Sequence, residues 1–290
     1  MSKSIATPGT DLMAATDPSV APLVVRDMQV PGAAQATLAA RLYSTSTSPS
    51  AATVADSLIV FFHQGGFVGG SLDESDEFAR ALAIGTGLPV LSASYTLACQ
   101  QPFPAAVEDA HAVLCWAAQH HATLRWSGAR LITAGIEAGG NLAAVSALVA
   151  RDRGGPPLAA QILIMPMLDP GLTSGSMRAL NASPGVAGVA DACAAGYRGY
   201  LPRVADRTHP YASPLQSSRL KDLPAALILS AQEDPLRDEG EQYGARLIAA
   251  GVKTLVKRLA PVPLQDGPAR CRCAREHSAL SEIAAFIAGL

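Results

Sequence analysis

A chain of 290 residues with 49% hydrophobic and 16% charged side chains can bury one sizeable α/β core and is too apolar to be disordered. A formal net charge of −2, with no basic stripe, excludes the electrostatics of a nucleic-acid binder. No apolar stretch reaches membrane-spanning length, and Met1 to Pro18 lacks the charged-then-apolar pattern of a signal peptide, so a soluble cytoplasmic protein is expected.

Residues 1–20, rich in Ser, Thr, Ala and Pro, read as a loose arm. Leu23 to Val30 and Thr37 to Tyr43 read as strands flanking the Pro31-Gly32 turn. Ser57 to His63 is a continuous apolar run, as in a strand buried on both faces. After a Gly-rich turn comes a helix from about Asp73 to Thr86. Strand and helix then alternate: Leu88 to Tyr95, Pro104 to His120, Ala129 to Gly135, Ala138 to Arg151, Ala160 to Met165. Residues 170–215 break this rhythm and are expected to be irregular, a candidate cap together with roughly residues 1–22. The alternation resumes with Ala225 to Ala231, Leu236 to Ala250, Lys253 to Leu259 and Glu276 to Leu290. The order implies one α/β domain over 1–290, a mostly parallel sheet of about eight strands with helices on both faces.

Five cysteines in a chain of this length argue against a disulfide framework. Cys271 and Cys273 have only His277 nearby, so a surface loop with two free thiols is expected there, not a zinc site. No metal and no cofactor is expected.

The turn after the third strand reads His63-Gln64-Gly65-Gly66-Phe67-Val68-Gly69-Gly70-Ser71. Successive glycines let backbone N–H groups converge on an oxyanion. Four further segments follow in order: Tyr95 to Ala106, Gly139 to Ala144, Tyr211 to Leu215 and Asp234 to Gly240. Together they resemble the hormone-sensitive-lipase-like esterases of the α/β-hydrolase superfamily over roughly residues 25–290. The resemblance implies that fold, an oxyanion hole from Gly65, Gly66 and Ala138, a pocket touched by His63 and Phe67, and Asp234 as the acid of a triad.

Two positions depart from that pattern. Where the family has its nucleophilic serine, the segment Gly135-Ile136-Glu137-Ala138-Gly139-Gly140-Asn141 carries Glu137. Counting from Gly251-Val252, and back from Glu282-Ile283-Ala284, puts Leu264 where the family has its histidine, with His277 well beyond. Serine hydrolysis needs both groups.

At the head of a helix, a carboxylate is favoured. Glu137 can fold into the oxyanion hole and block it. Alternatively, it is a working carboxylate: a nucleophile, or a base in an elimination or isomerisation. Three functions stay open: a non-hydrolytic protein binding a small acyl or carboxylate-type molecule, a non-hydrolytic enzyme using Glu137, and a residual carboxylesterase. Plant gibberellin receptors, which share the fold and lack the histidine, are the analogy for the first. A homodimer through an edge strand is compatible with the resemblance.

Overall fold

The computed structural model describes residues 22–45, 54–181, 187–260, 273–275 and 277–290. Eight strands form one sheet in the order β1-β2-β4-β3-β5-β6-β7-β8. They are β1 (Leu23–Pro31), β2 (Thr37–Thr45), β3 (Ala55–Phe62), β4 (Val90–Ala93), β5 (Trp126–Ile136), β6 (Leu158–Ile164), β7 (Ala225–Ala231) and β8 (Thr254–Leu259). The β1–β2 and β2–β4 pairs are antiparallel and the rest parallel. The expected eight-stranded architecture is present, with most boundaries shifted by a residue or two.

Side-chain alternation explains the layers. On β3, Leu58, Val60 and Phe62 face one core while Ile59 and Phe61 face another. The first core takes α2 (Ala105–Gln119) and α3 (Ala138–Arg153); the second takes α1 (Asp76–Thr86) and a closing helix, here α7 (His277–Ala288). A third cluster seats α6 (Arg237–Ala249) against β7 beside α3, through Tyr243, Leu247 and Ile228. Every residue of α3 from Ala138 to Ala150 is buried. Its many alanines and glycines let strands and neighbouring helices approach it from all sides.

Two expectations fail. The 170–215 segment is not irregular: it holds α4 (Gly175–Asn181) and α5 (Ala187–Tyr200). Its Gly- and Pro-rich flanks hid them, and the Ala-rich α5 gives only a weak apolar stripe. Cys273 is not on a surface loop but fully buried in the second core, beside Ala274 and Ile283. Cys271 lies outside the described residues, as does the 1–21 part of the expected cap. No helix among the described residues is long and apolar enough to cross a membrane.

Candidate functional site

Strands β3, β5 and β7 are parallel, so their C-terminal ends deliver the turns carrying Gly65, Glu137 and Asp234 to one edge of the sheet. Glu137 is the single residue between β5 and α3. Its backbone, at φ 56° and ψ −112°, is one that side-chain-bearing residues rarely adopt, at a cost on the order of 1–3 kcal/mol. Three backbone bonds hold it. Its N–H donates to Ile164 O (3.0 Å), and its carbonyl accepts from Asn141 N (3.1 Å) and Met167 N (3.1 Å). The corner also needs glycine at 139, where a Cβ would lie 2.0 Å from the carbonyl oxygen of Phe62. The Asn141 amide donates to the carbonyls of Met167 (2.7 Å) and Ala212 (3.1 Å), fixing the start of α3 to the segments that flank the insertion.

The opposite wall is the turn after β3. Gly65 and Gly66 adopt φ 131° and 60°, which aims both N–H groups inward. They donate to one oxygen, Oε2 of Glu137, at 2.7 and 3.0 Å. Ala138 is buried as the first residue of α3.

His63 braces this turn from behind. Its Nδ1 donates to Gln64 O (2.7 Å) and its ring stacks on Tyr95 at 4.4 Å. The Tyr95 hydroxyl in turn donates to His63 O (3.1 Å). Burial pushes the His63 imidazole below its usual range, so it is held neutral. Phe67 stacks on Tyr200 of α5 at 3.8 Å, and a Cβ on Gly196 of α5 would lie 2.5 Å from Gly66 O. The insertion therefore sits directly on the Gly65–Phe67 turn.

Asp234 is fully buried in the turn after β7, and its Oδ1 accepts the N–H of Leu236 (3.1 Å). Leu264 lies outside the described residues. His277 is the first residue of α7, and its side chain also lies outside them.

The same turn carries groups that sequence reasoning missed. Asp238 accepts the N–H of Ser176 at 2.6 Å, while the Ser176 hydroxyl donates to Pro235 O (2.7 Å) and accepts from Asp238 N (3.1 Å). This clasp ties α4 to the acid turn. Glu239 is 3% exposed and accepts the N–H of Asp169 on Oε2 (2.8 Å); burial first, then the nearby Asp169 carboxylate, raises its carboxyl well above the ordinary range. Glu239 sits within the Asp234–Gly240 motif, but the motif alone gives it no role. For Tyr197 and Tyr200, the only signal was their spacing of three on a segment not recognised as a helix.

A family model for the α/β-hydrolase fold matches residues 59–263. The chain is similar to esterase LipI of Mycobacterium tuberculosis, with 41% identity over 234 residues, 79% of this chain and 71% of that protein. It is also similar to carboxylesterase NlhH of the same organism, with 41% identity over 198 residues, 67% of this chain and 61% of that protein. Among solved structures, a Pyrobaculum calidifontis esterase superposes with TM-score 0.82 at 36% identity, covering 92% of this chain and 85% of that one.

Proposed function

Since the chain belongs to the α/β-hydrolase family, in the branch of the hormone-sensitive-lipase-like esterases, we propose that it has exchanged ester hydrolysis for the binding of a small acyl-type molecule. One observation carries the reading. The Glu137 carboxylate accepts both inward N–H groups of the Gly65–Gly66 turn, at 2.7 and 3.0 Å. A tetrahedral intermediate needs those donors for its own oxyanion. The elbow thus offers no hydroxyl to attack an ester, and the donors that would stabilise the product of attack are engaged by a side chain. The sequence counterpart is Leu264, at the place the family gives its base.

Loss of the nucleophile and base leaves about 10³–10⁴-fold over water from the oxyanion hole and binding alone. A plugged hole removes the oxyanion part of that remainder too. The test is hydrolysis of p-nitrophenyl acetate and butyrate by the purified protein beside Glu137→Ala. The expected wild-type rate is the buffer background, with at most a small gain in Glu137→Ala as the hole reopens. A clear wild-type rate overturns the proposal: if it vanishes in Glu137→Ala, Glu137 is catalytic, and if it survives, another residue is the nucleophile.

A further inference from the structure

Away from Glu137, the last turns of α3 and α6 and the segment leading to β7 enclose a groove of about 520 Å³. Four cationic side chains line it, Arg151, Arg219, Lys221 and Arg246, against one acidic residue, Asp222. Arg151 lies about 20 Å along α3 from Glu137, at about 1.5 Å per residue. The groove is therefore separate from the Glu137 corner.

Two of the four cations have structural roles. Arg151 Nη1 donates to the carbonyls of Arg219 and Lys221, both at 2.8 Å. Arg246 donates to the carbonyl of Leu215 and, at 2.7 Å, to that of Ser217. Alternate carbonyls from 215 to 221 are thus drawn inward onto two guanidinium groups. Both arginines also suit the C-terminal ends of their helices. Because carbonyls are neutral, these bonds leave the positive charges in place.

Arg219 and Lys221 have no such role. The bonds that fix the segment use their main-chain carbonyls, so other side chains would serve there equally well. The Arg219 side chain is 78% exposed and comes no closer than 3.6 Å to Asp152, a pair that adds little stability. Among the described residues, neither Lys221 nor Arg246 makes an ion pair. Like charges gathered on one rim repel each other, in a chain whose overall charge is −2. A bound anion offsets that repulsion.

The charge balance and the walls narrow the anion. Asp152 pairs with Arg151 at 2.8 Å, and Asp222 lines the groove, so two positive charges remain in excess. A phosphate monoester carries a charge close to −2 at pH 7 and three acceptor oxygens that suit guanidinium forks. A carboxylate brings a single charge. The groove is also larger than a phosphoryl group needs, and Leu220, Ala249 and Ala250 give it an apolar side.

We infer that this groove binds a small phosphate monoester with an apolar organic body. The phosphoryl group sits among Arg219, Lys221 and Arg246, and the body rests on the Leu220 and Ala249 side. The inference does not depend on the chemistry at Glu137.

The experiment titrates the whole protein with phenyl phosphate, inorganic phosphate and benzoate by calorimetry, at pH 7.5 and fixed ionic strength. Phenyl phosphate is expected to bind one-to-one, at least about fivefold more tightly than either of the others. Its amide shift changes should be confined to residues 215–222 and 246–250. The double variant Arg219→Gln/Lys221→Gln is expected to weaken it at least about tenfold, since two charge-assisted contacts are lost. Arg130→Gln/Lys257→Gln removes the same charge elsewhere and should stay within about twofold of wild type. No saturable binding of phenyl phosphate, benzoate or inorganic phosphate binding as tightly, shift changes outside the groove, or an equal loss in the second double variant each overturns the inference.

Discussion

The two walls of the site are built differently. On the β3–β5 wall, the inward N–H groups of Gly65 and Gly66 meet the Glu137 carboxylate, His63 bonds Gln64, and Tyr95 bonds His63. Among the described residues, the hydroxyls of Tyr197 and Tyr200 and Oε1 of Glu239 lack a hydrogen-bond partner on the wall formed by α5 and α6, whereas beside the glycine turn of the other wall only Gln64 Oε1 does. Settled polar groups hold a shape; buried unsettled ones wait for something to arrive. The difference separates a wall whose polar groups are mostly paired from one where several buried hydroxyl and carboxyl oxygens are not.

The contrast can be broken most severely at the corner itself. Gly139→Ala drives a methyl to 2.0 Å from Phe62 O. A loss of about 3 kcal/mol or more is expected, read as a lowered midpoint in urea melts, because the atoms the methyl meets, in Phe62 and His63, are main chain and cannot swing aside. Next comes the clasp. Ser176→Ala removes the hydroxyl that donates to Pro235 O and accepts from Asp238 N. A loss of about 1–2 kcal/mol is expected, with faster amide hydrogen exchange confined to α4. A smaller effect belongs to Glu137→Gln, which keeps an oxygen in the hole but loses the charge. It should destabilise by about 1 kcal/mol in the same melts without producing esterase activity. An intact variant that hydrolyses esters would overturn the proposed loss of hydrolysis.

The smallest effect is a pH dependence. His63 is held neutral when folded, whereas in the unfolded chain it titrates near 6.5. Below that value the unfolded state binds a proton that the folded state refuses, so stability is full above pH 6.5 and declines as pH falls toward the depressed folded value. Wild type should lose more stability between pH 7.5 and 5.5 than His63→Gln does. Equal slopes would mean that the ring is not held neutral.

Much of the sheet was legible because buried strands declare themselves. Ala225 to Ala231 is read from its apolar run with the boundaries β7 has. The Gly65–Gly66 turn and the Glu137 corner were legible because short glycine spacings there answer to backbone contacts. The acid-side wall was not. Tyr197 on α5 and Glu239 on α6 come within electrostatic reach of each other although about 40 residues apart in sequence, and no local pattern encodes such a meeting. Cys273 was misplaced for the same reason: a short polar neighbourhood in sequence became a core position through tertiary packing.

The main chain of the corner after β5 is set by other main-chain atoms: Ile164, Met167 and Asn141 bond the backbone of residue 137, and Phe62 leaves no room for a side chain at Gly139. None of these contacts involves the side chain of residue 137. The position behaves as a socket, whose shape is inherited from the scaffold while its fitting can be exchanged. A lineage can therefore replace the reactive group there in one substitution and keep a folded protein. Fold and chemistry are then free to diverge at different rates.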